Sequence, residues 1–299
     1  MRFKLRQMEV FRAVMITGSM SGAGRMLNIT QPAVSRIIAY TEQSLGLRLF
    51  ERIGTRLVPT TEASILMAAV EKLYEGAVQV DDLARDLARK PGGTLTIAAS
   101  PSLALHVIPT VIARFLKAHP QVHVRYHTTL LADMPHELTS RQASLAISVL
   151  PVDHPDIQTE VLTQGEMVCL LPKGHPLSAE VGPLSLAEIA RHPLVMYDRL
   201  IPFGRLIWRA FESAEIEPQI ALEVPRAELA IGMVRAGIGL AIVDEFAAAS
   251  GMTDLPYRHI AEPIGMTMSL LMSRHEPPPG QSARIFIDLL RSHLKARRS

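Results

Sequence analysis

Several residue types in this chain invite a catalytic or metal reading, and their spacing argues against it. His123 and His127 share "VHVRYHT", which alternates like a strand; four residues at about 3.3 Å each hold them about 13 Å apart, too far to share a metal ion. His119, His154, His175 and His192 each precede a proline in loop-like stretches and show no ligand spacing. The 14 methionines, Met266, Met268 and Met272 among them, read as core filler. The single cysteine, Cys169, lies in the apolar run "MVCLL" and reads as core rather than nucleophile. It can form no internal disulfide, which fits a reducing compartment. Ser100 follows the strand-like "TLTIAA", as a hydrolase serine would, but no G-x-S-x-G elbow surrounds it. "AGIGLA" lacks the full dinucleotide fingerprint. Neither an enzyme nor a resident metal or cofactor is expected.

Binding chemistry fares better. In "TQPAVSRIIAYTEQSLG" (30–46), Val34, Ile37, Ile38, Thr41 and Leu45 form one helical stripe. Gln31, Ser35, Arg36, Glu42 and Gln43 fall off it. Thr30 can cap this helix, Pro32 fits its first turn and Gly46 ends it. A positive dipole end carrying polar side chains and an arginine suits phosphates and base edges.

The elements around it fit that use. Residues 4–17 have helical spacing up to Gly18, and Ser19 can cap a short helix over Met20–Leu27. Three short helices with a tight turn between the second and third make a helix-turn-helix. Leu47, Leu49 and Phe50 are core candidates. "ERIGTRLVPT" reads as two strands around Gly54-Thr55, with Arg52 and Arg56 flanking the turn within reach of a phosphate backbone. Residues 1–60 hold nine Arg or Lys and three Glu, a net +6, although the whole chain carries only +2. A basic front end on a slightly acidic body points to a polyanion there alone.

From Thr61 to Lys90 runs a proline-free helical pattern. Leu66, Leu73, Val80 and Leu87 recur every seven residues, and Val70, Ala77 and Ala84 supply a second seam. Such a helix, about 45 Å long, favours pairing with a second copy. "KPGG" (90–93) reads as a linker. Beyond it strands and helices alternate in the rhythm of a parallel α/β sheet.

The stretch "RQMEVFRAVMITGSMSGAGRMLNITQPAVSRIIAYTEQSLGLRLFERIGTRLVPTTEA" resembles the DNA-binding end of a LysR-type transcriptional regulator. "KGHPL" (173–177) and "VRAGIGLAIVDE" (234–245) extend the resemblance over the whole chain. It implies an α/β protein with three parts: a winged helix-turn-helix (1–60), a dimerising linker helix (61–90) and a periplasmic-binding-protein-like effector domain (91–299). The last would divide into subdomain I (about 91–163 and 266–299) and subdomain II (about 164–265), with hinges near 161–165 and 261–266. By position, Gln31, Pro32, Ser35 and Arg36 match residues entering the major groove, Thr30 lies near a phosphate, and Arg52 and Arg56 match the wing. Gly22 and Gly24 stand where relatives usually have alanine, which should weaken that helix by roughly 0.5–1 kcal/mol each. Homodimers or homotetramers on double-stranded promoter DNA, a small-molecule coinducer and contact with RNA polymerase are further implied.

Parallel sheets bind ligands at the carboxyl ends of their strands. Ser100, Pro101 and Ser102 follow the first such strand and open a helix, offering hydroxyls and backbone N–H groups to a carboxylate. "SVLPVD" (from Ser148), "YDRLIPFG" (with Asp198, Arg199, Phe203 and Gly204) and "VDE" (with Asp244) are further strand ends. "YDRLIPFG" resembles the matching stretch of opine- and amino-acid-responsive regulators, so a zwitterionic effector is expected. No apolar run reaches the roughly eighteen residues that span a bilayer, and no apolar signal core follows the basic N-terminus. A cytoplasmic protein without membrane contact is therefore expected. On the residues alone a second reading stays open, a ligand-binding protein or enzyme with an N-terminal dimerisation module; it needs neither the polar helix start nor the basic front end.

Overall fold

The computed structural model describes residues 2–54, 56–88, 93–179, 181–248, 254–275 and 279–296. Thr55 of the expected hairpin turn, residues 90–92 of the expected linker, the end of the basic tail and the Leu87 side chain lie outside the described residues. The chain divides into two compact units, Met1–Ala88 and Arg89–Ser299.

The first unit contains α1 (Leu5–Thr17), α2 (Met20–Met26), α3 (Gln31–Leu45), β1 (Phe50–Ile53), β2 (Arg56–Pro59) and α4 (Thr61–Ala88). Its helix ends are set locally. Gly18 closes α1 in the left-handed conformation (φ 66°), donating its N–H to Val14, and the Ser19 hydroxyl accepts the Gly22 N–H at 3.0 Å. Close packing gives the two glycines of α2 a reason that helix propensity does not. A Cβ on Gly24 would lie 2.8 Å from the Ile29 carbonyl oxygen, and one on Gly22 would lie 2.7 Å from the Ser19 hydroxyl. The turn into α3 thus folds directly onto backbone that alanine would crowd.

Val10, Phe11 and Val14 of α1, Val34 and Ile38 of α3, and Leu49 and Phe50 form one core. Glu42, off the apolar stripe, accepts the Leu49 N–H at 2.7 Å and the Phe50 N–H at 3.2 Å, tying β1 to α3. Leu47 is not core: it is 44% exposed, because it sits where the chain turns after Gly46 and Leu49 takes the interior place. The start of α4 belongs to this same core through Ala63 and Val70, with Leu66 packed against it. Arg12 pairs with Glu71 through two hydrogen bonds of 3.0 and 3.1 Å and lies 4.4 Å from the Tyr74 ring centroid. The expected seven-residue seam therefore splits. Leu66 and Val70 serve the unit itself, whereas Leu73 and Val80 are 42% and 67% exposed and Ala77 and Ala84 are exposed too.

The second unit contains β3 (Thr94–Ala99), α5 (Val107–Ala118), β4 (His123–Thr128), α6 (Met134–Thr139), β5 (Leu145–Ser148), β6 (Ile157–Leu170), α7 (Leu186–Ile189) and β7 (Leu194–Tyr197). It continues with α8 (Pro202–Ser213), β8 (Ile220–Val224), α9 (Ala227–Arg235), β9 (Leu240–Asp244), α10 (Glu245–Ala248), β10 (Tyr257–His259), β11 (Gly265–Ser273) and α11 (Gln281–Ala296). The sheet order is β4-β3-β5-β11-β6-β9-β7-β8, with β10 paired to β6. Two parallel groups, β4-β3-β5 and β9-β7-β8, are joined by the antiparallel strands β6 and β11. The sheet is mixed, not parallel throughout, because each parallel group needs helical crossovers while β6 and β11 run between the groups. The expected subdomain boundary at 163/164 falls inside β6. There the β6–β11 register slips: Met268 pairs with Thr163 and Ser269 with Val161, leaving Leu162 as an extra residue.

Candidate nucleic-acid interface and effector cleft

On α3, Gln31, Pro32 and Arg36 are exposed and Ser35 is half-buried. Gln31 Nε2 donates to Ser35 Oγ at 2.7 Å, one helical turn on, so these two side chains stand side by side next to Arg36. Thr30 occupies the N-cap position, but its side chain makes no cap hydrogen bond; its hydroxyl is not tied to the helix it precedes. Tyr40, 59% exposed and four residues beyond Arg36, extends the same face. That spacing was readable in the sequence. In the hairpin Arg52 pairs with Leu57, and Ile53 with Arg56. Cross-strand partners share a face, so the two wing arginines stand on opposite faces of the ribbon and do not form one patch.

In the second unit a cavity of about 280 Å³ opens at the carboxyl ends of five strands drawn from the two parallel groups. One wall comes from Ser100–Ser102 after β3, Leu130–Ala132 after β4, and Val149 and Leu150 after β5; the other comes from Leu200–Phe203 and Arg205 after β7, and Pro225–Ala227 after β8. Of the expected effector residues, Ser100, Pro101, Ser102 and Phe203 line it. Ser148, Asp198, Gly204 and Asp244 do not.

Each has a physical reason. The Ser100 N–H is not free, since it donates to the Ile147 carbonyl at 2.9 Å, and its hydroxyl accepts the Val149 N–H at 3.3 Å. Both bonds tie the turn to β5. Ser102 is 2% exposed, and its hydroxyl neighbours the buried Asp244 carboxylate. Ser148 is fully buried, its hydroxyl without a partner. The Asp198 carboxylate turns back to accept the Leu200 N–H at 2.8 Å. Gly204 is a packing position: its Cβ would meet the Asp198 carbonyl oxygen at 1.8 Å. Arg199 stacks 3.6 Å from the Trp208 ring centroid and pairs with Glu212, away from the cavity.

Asp244 is buried at the end of β9, where its carboxylate accepts the Ala247 N–H at 3.0 Å. Burial pushes its pKa up to about 6, against the Ala247 N–H and the neighbouring Ser102 hydroxyl, which favours the carboxylate without reaching full hydrogen-bond geometry. The buried Tyr197 hydroxyl is raised by burial first, then by Asp244 and Glu228. Cys169, fully buried, is pushed up to about 12 by burial and cannot serve as a thiolate nucleophile. Among the described residues no cluster of three or more metal-ligating side chains occurs, and no helix is long and apolar enough to cross a membrane.

Arg205, Arg226 and the 130–132 segment were missed at the level of sequence. The strand-end rule that singled out Ser100 applies equally to the ends of β4 and β8, "HTTLLADM" and "EVPRAE".

Residues 5–64 match the family model described as "Bacterial regulatory helix-turn-helix protein, lysR family", and residues 88–295 match "LysR substrate binding domain". The chain is 33% identical over 276 residues to the regulatory protein NocR of Agrobacterium fabrum, covering 92% of this chain and 91% of that one. It is 33% identical over 244 residues to the octopine catabolism/uptake operon regulatory protein OccR of Rhizobium meliloti, covering 82% and 80%. The full-length CbnR structure complexed with its target DNA shares the fold, with a TM-score of 0.76 at 23% identity over 97% of this chain and 99% of that one. With both of its units so matched, and one third of its residues shared with NocR over nine-tenths of its length, the chain belongs to the LysR family: it is a DNA-binding transcriptional regulator with an effector-binding domain, not an enzyme.

Proposed function

We propose that this regulator reads promoter DNA with the Gln31–Ser35–Arg36 face of α3, entered at Thr30 and Pro32 and extended by Tyr40. A small carboxylate or amino-acid-like effector in the cleft would modulate that binding. The division of labour is residues 1–60 on DNA, 61–90 in pairing and 91–299 on the effector. The observation that carries the DNA reading is the tied Gln31–Ser35 pair beside exposed Arg36 at a helix start, in a segment of net charge +6. Arg56 would grip the phosphate backbone; Arg52, on the other face of the wing, is the weaker candidate. The exposed apolar side chains Leu73, Val78 and Val80 of α4 support a homodimer, on which a homotetramer would build. Contact with RNA polymerase and a cytoplasmic location follow from the role proposed.

For the effector, the support is a cavity at strand ends with the hydroxyl-bearing Ser100 and Ser102 on its wall. OccR is named for octopine catabolism, so amino-acid-derived carboxylates form the first class to test.

The deciding experiment is a footprint on the DNA upstream of the protein's own gene, with and without candidate effectors, followed by titrations of the variants. Arg36→Ala should lose about 1–3 kcal/mol of discrimination between operator and random DNA. Equal losses on both sequences would remove its base-reading role.

A further inference from the structure

The wing is too small to hold its own angle. β1 and β2 have four residues each, and a two-stranded ribbon alone is marginal in water. Pro59, opposite Phe50 at the base, has no N–H to add to the ladder. Leu49 and Phe50 anchor the ribbon in the core, but apolar packing has no direction. The angle has to be set by hydrogen bonds at the base.

Two side chains supply them, and they meet at Leu49. Glu42 takes the N–H side. Its Oε1 alone accepts both the Leu49 N–H at 2.7 Å and the Phe50 N–H at 3.2 Å, while its main-chain carbonyl accepts the Gly46 and Leu47 N–H groups that end α3. Thr60 takes the carbonyl side. Its N–H donates to the Leu49 carbonyl at 3.0 Å. Its hydroxyl donates to the Arg48 carbonyl at 2.9 Å and accepts the Ala63 N–H at 3.1 Å. The base of the wing is thus pinned to the last turn of α3 and to the first turn of α4. Arg56 sits at the far end of the ribbon, across from Ile53. Three residues of strand place that end about 10 Å from the base, so a tilt of roughly 20° at Leu49 would carry Arg56 about 3 Å, a whole hydrogen-bond length.

We infer that Glu42 and Thr60 are positioning residues for DNA binding, which clamp Leu49 and so hold Arg56 at the angle where α3 and the wing grip one duplex together. This rests on the reading of Arg56 as a backbone contact. The clamp needs one acceptor at a fixed reach and not a charge, because a single oxygen takes both N–H groups. Glu42→Gln keeps that oxygen in place. Glu42→Asp keeps the charge and withdraws the oxygen by one methylene.

The test is a set of anisotropy titrations of the full-length protein on a mixed-sequence duplex over a salt series, with Arg56→Ala added to each background. Arg56→Ala should make the salt slope shallower by about 0.9 per phosphate neutralised in wild type and in Glu42→Gln, and by almost nothing in Glu42→Asp. Thr60→Val, which removes the hydroxyl on the other side, should shrink the Arg56 effect in the same direction. Amide exchange reads the clamp itself: the Leu49 and Phe50 N–H groups should exchange about tenfold or more faster in Glu42→Asp, with Val10 and Val14 of α1 unchanged. If Val10 and Val14 quicken as well, the first unit has loosened as a whole and Thr60→Val carries the comparison. An Arg56 effect of equal size in every background, unchanged exchange at Leu49 and Phe50, or Glu42→Gln behaving as Glu42→Asp would overturn the inference. No Arg56 effect even in the wild type would instead refute the wing reading beneath it, and the inference with it.

Discussion

At the scale of single residues, Asp244 shows how position overrides type. In the sequence it is a charged residue at a strand end, suited to a ligand. In the fold it is sealed behind Ser102 and accepts the Ala247 N–H, and no local pattern announces that burial. Its pKa, raised from 3.8 to about 6, makes the native state the tighter proton binder. Stability is therefore lost as pH rises through that window, and above it the ionised form is a standing cost. Asp244→Asn keeps an acceptor for Ala247 and removes the charge. It should be more stable than wild type by about 1–3 kcal/mol near pH 8, with the difference largely gone near pH 4. Urea melts at the two pH values check this; a variant weaker than wild type at the higher pH would show that the carboxylate is better solvated than its burial implies. The burial of Cys169, by contrast, was legible from its apolar context alone.

At the scale of elements, helix ends were the most legible feature. Gly18, Ser19, Pro32 and Gly46 act within a turn of their own position. Strand partners were not, since register is set by distant chain. The wing illustrates this: both arginines flank the turn, yet pairing puts them on opposite faces. Arg56→Ala should weaken binding to all DNA alike and make the salt slope shallower by about 0.9 for each phosphate that Arg56 neutralises, while Arg52→Ala should leave the slope nearly unchanged. Anisotropy titrations over a salt series would read both; equal slopes for the two variants would contradict the register argument. The seven-residue pattern of α4 was legible as apolar but not as divided between two tasks. Leu73→Asp/Val80→Asp should yield monomers by light scattering without unfolding the first unit. Val70→Asp, which charges a residue only 3% exposed, should unfold it.

At the scale of the whole chain, the order of strands and helices in the second unit followed the hydrophobic runs closely. The first half of β6 escaped, as did the short α7 and β10. That half of β6, "IQTEVLTQG", carries polar residues at many positions, and only pairing with β11 makes it a strand. The cleft was half legible for a related reason. Strand ends are visible in sequence, but which of them converge depends on sheet order. The β6–β11 ladder also has a reach beyond its own pairing. It is hydrogen-bonded on one side to β5, whose group carries the Ser100–Ser102 wall, and on the other to β9, whose group carries the Leu200–Phe203 wall. If the walls draw together, this ladder would be twisted, and the slip at Leu162 is where its regular pairing is already broken. Amide exchange at Val161–Thr163 and Met268–Ser269 should slow when the cleft fills, although no residue there lines it. Those few amides would act as a gauge of occupancy, readable before the natural ligand is known. Unchanged exchange with a bound ligand would mean that the walls close without straining the strands they share.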